Sequence, residues 1–302
     1  TVMTDCIVGS GTFLLSGGTV GDVIQKGGTV RILDEVKMGD CTVYNGTLYV
    51  SGGTTAGVLQ KGGTIHADGG IMPNGCVVEG GICFLSSGTV SGLLQKDGQV
   101  NMTGGVLSAE CTIENGGFVL EGGTAESITQ RGGKISVAGG TITNGCRVEG
   151  GKLEVSGGTL RAGKNDTALT VNSSEAALAE ANTVTAENAN VYITGGMILG
   201  DGADKSAIQS IAGTIMLVDN GNITVKADRV FHTIRTDKAG GNWAVRYSSG
   251  NGEDYTMSAD SPAAIYVTKL DSDDMVRLRR LSDDFFFAAQ AEDGDLLTAS
   301  SE

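Results

Sequence analysis

Six cysteines are the residues whose chemistry and spacing stand out first in this chain of 302 residues. Five of them, Cys6, Cys41, Cys76, Cys111 and Cys146, follow one another at a constant step of 35 residues. A constant period of this length is typical of repeat proteins. Zinc sites use close pairs such as Cys-x-x-Cys, which the sequence lacks, so we interpret the cysteines as part of a repeat and predict no metal site.

Other residue types that carry chemistry give weaker signals. His66 and His232 are the only histidines, and neither belongs to a nucleophile motif, so no Ser/His/Asp site is predicted. Asp201 and Asp204 could bind calcium, but they fit no known calcium motif, and we interpret them as parts of solvated turns. We therefore predict no catalytic residue and no cofactor.

Each 35-residue unit divides into two coils of 17 and 18 residues. The repeated pattern consists of a turn residue and Gly, then alternating apolar residues and a closing Gly pair. It begins at positions 10, 27, 45, 62, 80, 97, 115, 132 and 150. Apolar residues such as Phe13/Leu15 and Ile135/Val137 recur with the period of two that is typical of strands. Short strands joined by Gly turns predict an all-β fold, a parallel β-helix or β-solenoid of about nine coils stacked about 4.8 Å apart.

Two columns of this predicted solenoid point inward. In the first, the five repeating cysteines alternate with Val23, Val58, Leu93 and Ile128, which puts successive cysteines about 9.6 Å apart, too far for disulfides. We expect all six cysteines, including Cys83 at a Phe/Leu position, to be buried free thiols. In the second column Gln25, Gln60, Gln95 and Gln130 alternate with aliphatic residues, and we expect their amides to bind turn backbone. Beside them, bases such as Lys61 and Lys96 alternate with acids such as Glu79, which predicts an ion ladder between coils.

Composition divides the chain and limits its partners. Residues 1–163 hold 38 of the 49 Gly and carry a net charge of −4, whereas residues 164–302 carry −10. We predict regular solenoid repeats in 1–163, irregular β-helix coils in 164–230, and a β-rich C-terminal cap with an acidic tail in 231–302. The overall charge of −14 argues against binding nucleic acid. No apolar run has the length of a transmembrane segment.

Outward strand positions give the candidate binding residues. The centre of the first strand of successive coils includes Tyr49, His66 and Phe84, and the neighbouring face includes Leu59 and Leu94. Contiguous exposed apolar surface often marks association. These five residues could bind another chain, a second copy, a glycan or a receptor, or could form ordinary surface.

The repeats resemble the Gly-rich passenger repeats of AIDA-type autotransporter adhesins over residues 1–163. The resemblance lies in the pattern apolar-x-x-Gly-Gly, as in Ile113 to Gly117, and in the recurrent Ser-Gly-Gly-Thr of 16–19 and 51–54. It implies a right-handed parallel solenoid at a bacterial surface or secreted, active in adhesion or self-association, and it carries no catalytic residues. The regular cysteine column and the tight 17/18 alternation depart from that family.

Two functions follow as hypotheses. The first is a non-enzymatic, adhesin-like β-solenoid that adheres to a host surface or glycan, or associates with copies of itself. The alternative is a polysaccharide-active β-helix enzyme or a phage-spike-like protein. The enzyme would need two carboxylates about 5–10 Å apart in a cleft, for which residues 164–230 are the place to look.

Overall fold

The computed structural model describes residues 2–173 and 189–201, and beyond them only the strands given below. Within this part of the chain the fold is all-β without a helix. Parallel strands form a β-solenoid of about nine turns with coils of roughly 18 residues. The predicted fold class is therefore confirmed. The chain divides into two compact units, residues 1–135 and 136–302.

In the first unit the strands of successive coils stack into three faces. Face 1 contains the strands Thr12–Leu15, Thr29–Ile32, Thr47–Val50, Gln99–Met102 and Gly117–Leu120. Face 2 contains Val2–Met3, Gly18–Val20, Val36–Met38 and Thr54–Thr55. Face 3 contains Cys6–Val8, Val23–Gln25, Cys41–Val43, Val58–Gln60, Cys76–Val78 and Leu93–Gln95.

Four longer strands of this unit continue around a corner of the solenoid. Thr64–Met72 and Ile82–Val90 run from face 1 into face 2, while Val106–Ile113 and Thr124–Gln130 run from face 2 into face 3. The sequence pattern predicted faces 1 and 3. Face 2 was not predicted, and it carries the recurring threonines Thr19, Thr54, Thr89 and Thr124.

Strand pairing reproduces the alternating 17- and 18-residue step. On face 3, Cys6 pairs with Val23, Val23 with Cys41, and Cys41 with Val58. The same column continues in register through Cys76, Leu93, Cys111 and Ile128. Aliphatic and thiol side chains thus alternate along the interior, as predicted.

Burial of the cysteines follows the prediction with one exception. All six are free, and Cys41, Cys76, Cys83, Cys111 and Cys146 are buried. The expectation is wrong for Cys6, which is half-buried. Its strand pairs with that of Val23, and the structure describes no face 3 strand on its other side, so part of the thiol stays open to solvent.

The buried glutamines hold the turns between faces 3 and 1. Gln25, Gln60, Gln95 and Gln130 are fully buried. The Nε2 of Gln60 donates to the carbonyl oxygens of Gly63, 3.1 Å away in its own coil, and of Ile82, 2.9 Å away in the next coil. Gln25 makes the equivalent pair of bonds to Gly28 and Thr47. The predicted structural role is confirmed, and the amides of Gln25, Gln60 and Gln95 each connect two coils.

One corner of the first coils is held by carboxylates. The backbone N–H of Asp22 donates to Oδ1 of Asp5 at 3.0 Å, and the N–H of Asp40 donates to Oδ1 of Asp22 at 2.8 Å. A Cβ at Gly39 would collide with that Asp22 oxygen, so a larger residue there would have to displace the Asp22 carboxylate. Each carboxylate therefore caps the coil that follows it.

The second unit contains coils of the same kind and then a different arrangement. Its strands begin with Thr141–Ile142, Cys146–Val148, Lys152–Arg161, Leu169–Asn172 and Val191–Leu199, while Lys134–Val137 spans the unit boundary. Parallel pairs continue through Ser206–Ala212, Ile215–Leu217, Ile223–Lys226 and Arg229–Phe231. The step from Cys146 to its partner Leu169 is longer than the 17 or 18 residues of the first unit. The irregular coils predicted for residues 164–230 stay a prediction.

Antiparallel strands occur near the C-terminus. Thr233–Arg235, Met275–Arg280, Phe287–Gln290 and Leu296–Thr298 form one antiparallel sheet, and Trp243–Arg246 pairs with Ala264–Val267. Asp254–Met257 pairs antiparallel with Ile223–Lys226. The strands that the structure describes in residues 231–302 are thus mainly antiparallel. Their predicted role as a cap, and the acidic tail, stay predictions.

Candidate functional site

Four planar side chains stack along the outer surface of face 1. The rings of Tyr49 and His66 are nearly parallel, with centroids 4.8 Å apart, and those of His66 and Phe84 are 5.0 Å apart. The guanidinium carbon of Arg31 lies 4.3 Å from the centroid of the Tyr49 ring, within cation–π range. The stack follows from strand pairing, because Arg31, Tyr49, His66 and Phe84 occupy matching positions of successive strands.

This stacking limits what the three aromatic candidate residues can bind. Tyr49, His66 and Phe84 are all half-buried. Both faces of the His66 ring are covered by its neighbours, and the Tyr49 ring lies between Arg31 and His66. A sugar or planar ligand that stacks on an open ring face has no such face at Tyr49 or His66. Their observable contacts are cross-strand pairs of the kind that stabilise a sheet.

The other two candidate residues lie on face 3, in a column that is mostly aliphatic. Ile7 and Ile24 are 63% and 37% exposed, and Leu59, Val77 and Leu94 are half-buried. These residues follow one another in register, with Thr42 between Ile24 and Leu59 and with Thr112 after Leu94. We call the five aliphatic residues the face 3 stripe. Its side chains are partly exposed, most of all Ile7, and Thr42 interrupts the row.

Face 2 carries more scattered apolar residues. Ile71 is 50% and Val106 41% exposed. They alternate along the column with threonines, because Ile71 pairs with Thr54 and Thr89, and Thr89 pairs with Val106. Single apolar residues separated by polar ones are normal on a protein surface. Face 2 therefore offers a comparison surface for the face 3 stripe.

Charged side chains form the predicted ladder at the corner beside the stripe. The Nζ of Lys96 lies 3.0 Å from Glu79, and that of Lys61 lies 3.8 Å from the same carboxylate. The hydrogen bond and charge of Lys96, together with the charge of Lys61, lower the pKa of Glu79. Lys61 also lies 5.4 Å from the centroid of the Tyr44 ring. These exposed pairs connect successive coils.

Burial keeps the thiols of Cys41 and Cys146 protonated. Burial, with a smaller contribution from the neighbouring Cys76 thiol, raises the pKa of Cys41 to about 12. Burial alone raises the pKa of Cys146 to about 12. A nucleophilic cysteine needs the thiolate, which these surroundings disfavour. The two side chains behave as small core residues.

Two carboxylates in the described part of residues 164–230 accept hydrogen bonds from backbone N–H groups. An oxygen of Asp201 accepts the N–H of Asn165 at 3.0 Å, and Oδ1 of Asp166 accepts the N–H of Thr167 at 2.8 Å. Asp204 and His232 lie outside the described residues. Ser86 donates its hydroxyl hydrogen bond to Asp68 at 2.7 Å. The ring of His66 stacks between two other rings. Ser86 and His66 therefore do not form a serine–histidine pair.

Two arrangements were missed by reasoning from the sequence alone. The stack on face 1 has a signal in the sequence, because positions 31, 49, 66 and 84 of four consecutive coils all carry planar side chains. The column of Asp5, Asp22 and Asp40 carried an equally simple signal, since each aspartate directly precedes an inward residue of face 3. Neither pattern involves the hydrophobic alternation on which strand prediction depends.

Comparisons with family models, with curated proteins and with solved structures give no match to this chain. Within the residues that the structure describes, no group of three or more His, Cys, Asp or Glu side chains could hold a metal ion. The same residues include no helix with the length and hydropathy needed to cross a membrane.

Proposed function

We propose that the chain is a non-enzymatic, adhesin-like β-solenoid of a bacterial surface or secreted protein, which associates with copies of itself through face 3. The observation that carries the proposal is the face 3 stripe, a row of partly exposed apolar residues, interrupted only by Thr42, on an acidic protein. The resemblance of the repeats to autotransporter passengers supports the surface location. Adhesion to a host surface or glycan is the same proposal with a different partner.

A second copy suits the stripe because it presents the same spacing. Side chains of the stripe recur at the strand separation of about 4.8 Å, and two such faces can pack about 10 Å apart with their rows interdigitated. A partner with another period would match only a few of these positions. The ladder of Lys61, Glu79 and Lys96 beside the stripe adds charges of both signs, which a second copy can complement.

The absence of an enzymatic role is part of the proposal. It is supported by the use of Asp166 and Asp201 to bind loop backbone and by the enclosure of His66 between two rings. A polysaccharide-active enzyme would leave its carboxylates open to substrate. Release of new reducing ends from bacterial or host polysaccharides by the purified chain would overturn this part.

Self-association is tested by sedimentation velocity over a range of protein concentrations. We expect the wild-type chain to associate and a Leu59→Thr, Val77→Thr, Leu94→Thr variant to stay monomeric. Threonine is compatible with the fold here because Thr42 and Thr112 occupy the same column. The control is Ile71→Thr with Val106→Thr on face 2, where Thr54 and Thr89 show the same tolerance.

The outcomes separate the partners. Association lost in the face 3 variant but kept in the control would support pairing through face 3. A wild-type chain that is monomeric at every concentration would exclude self-association. Cells that display such a chain and still adhere to a glycan array, with adhesion lost in the face 3 variant, would move the proposal to a different partner for the same face.

A further inference from the structure

Asn-Gly pairs recur at the turns of this chain and form a natural comparison set. Of six such pairs, four lie within the described residues: Asn45-Gly46, Asn74-Gly75, Asn115-Gly116 and Asn144-Gly145. The pairs that begin at residues 220 and 251 lie outside them. In all four the asparagine is exposed, and in all four the glycine has a positive φ, between 79° and 89°. The exposure of the asparagine and the φ of the glycine are therefore matched, while Gly75 is buried and the other three glycines are half-buried.

Hydrogen bonding of the glycine N–H distinguishes these pairs. The N–H of Gly75 donates to the carbonyl of Met72 at 3.1 Å, and that of Gly145 donates to the carbonyl of Arg161 at 2.8 Å. The N–H of Gly46 donates instead to Oδ1 of its own neighbour Asn45, at 2.8 Å. This bond brings the carboxamide carbon of Asn45 beside the nitrogen of Gly46.

We propose that Asn45 is a site of spontaneous deamidation in the folded protein. Hydroxide removes the proton of the Gly46 amide, and the nitrogen forms a bond to Cγ of Asn45. The C–N bond of the carboxamide breaks, and ammonia leaves with a proton from water. The resulting five-membered imide then adds water at either carbonyl, which gives aspartate or isoaspartate. Reacting atoms that start close together and correctly oriented lose little entropy in such a step.

The same reasoning ranks the other pairs. At Asn74 and Asn144 the glycine nitrogen is held by a backbone carbonyl, so attack requires that bond to break first. Asn115 occupies the turn position of Asn45 two 35-residue repeats later, and Gly116 has a similar φ of 84°. We therefore place Asn115 second in rate. Asn74 and Asn144 are the protected sites.

The fold accepts one product better than the other. Asp97, which precedes Gly98, occupies the turn position equivalent to Asn45, so an aspartate is compatible with this column. Isoaspartate adds a methylene to the backbone next to Gly46, where even a Cβ would collide with the carbonyl oxygen of Gly28. Deamidation also places a carboxylate beside Tyr44, which contacts Lys61 in the next coil. The modification would extend the alternating charges of that corner.

Peptide mapping by mass spectrometry tests the proposal on the full chain. The protein is incubated in mildly alkaline buffer made with heavy-oxygen water, so that new aspartate and isoaspartate carry the label. We expect Asn45 to react at least about tenfold faster than Asn74. The variant Asn45→Gly, which copies Gly27 and Gly62 of the same column, should lose the signal of this site and keep those of the others.

A parallel incubation in urea supplies the reference. In the unfolded chain the sites lose their hydrogen bonds, and their rates should converge. If Asn74 reacts as fast as Asn45 in the folded protein, the proposal is wrong. It is equally wrong if Asn45 stays intact when folded over a period in which the unfolded chain reacts.

Discussion

The ring of His66 lies parallel to that of Tyr49 in the preceding coil, at a centroid distance of 4.8 Å and an angle of 9°. Both rings are half-buried by this contact on an outer face of the solenoid. The pair therefore stabilises the stacking of coils rather than presenting an open ring to a ligand.

Removing the two rings separately and together should reveal their coupling. We expect Tyr49→Ala and His66→Ala each to lower the free energy of unfolding, and the double variant to lose about 1 kcal/mol less than their sum. Urea unfolding followed by circular dichroism measures the three values. Strictly additive losses would show that the stacked geometry contributes nothing of its own.

Gln60→Val should destabilise the fold although valine occupies neighbouring positions of the same column. The substitution removes the donor that the carbonyl oxygens of Gly63 and Ile82 share, at an expected cost of about 1–3 kcal/mol. Thr55→Val is the matched control, because the Thr55 hydroxyl is buried without a hydrogen-bond partner and its loss should leave stability unchanged or raised. Equal losses in the two variants would contradict the role given to the Gln60 amide.

Gly28→Ala tests the turn between faces 3 and 1. Gly28 has a φ of 69°, and a Cβ there would collide with the carbonyl oxygen of Gly11 in the preceding coil. We expect a loss of at least about 1–2 kcal/mol in the free energy of unfolding. Gly17→Ala, at a position with open space around the Cβ, should change stability little. Thermal and urea unfolding measure the stability of both variants. Equal losses in the two would contradict the role given to Gly28.

The buried thiols predict a loss of stability in alkali. The pKa of Cys41 rises from an ordinary value of 9.0 to about 12 on folding, so its contribution is complete below pH 9. Between about pH 9 and pH 12 the unfolded chain ionises while the folded chain does not, and the free energy of unfolding should fall. Urea unfolding under reducing conditions across this range measures the fall.

Cys41→Val is the control for that experiment. Valine is compatible with the site because Val23 and Val58 occupy the same column in the adjacent coils. The variant should show a shallower decline of stability with pH, with Cys146 as a remaining contributor. An identical decline in both proteins would remove Cys41 as a cause.

The sequence predicts the interior of this protein better than its surface. Inward residues repeat at a constant step, and burial restricts their type, so the cysteine and glutamine columns could be placed to the residue. Face 2 was missed because its strands, such as Thr54–Thr55, are too short to show alternation. The stack of Tyr49, His66 and Phe84 was missed because strand prediction depends on hydrophobic alternation, whereas the stack depends on planar residues at one outward position of successive coils.

Cys6 shows a different limit. Its position in the column predicts burial, but burial also needs a covering coil on both sides, and that is a property of neighbours rather than of the residue. The same reasoning applies to Tyr49 and His66, whose ring faces are covered by neighbouring side chains.

Alternation of the inner columns imposes a rule of parity on the evolution of this chain. Deleting a single coil, for example residues 41–57, would place Gln60 directly on Gln25 and bring two buried amides side by side where Val43 now separates them. Deleting 35 residues instead, which is two coils, would keep an aliphatic residue between successive glutamines. The solenoid can therefore lengthen or shorten in steps of two coils. Recombination would keep the inner columns alternating only when it adds or removes an even number of coils.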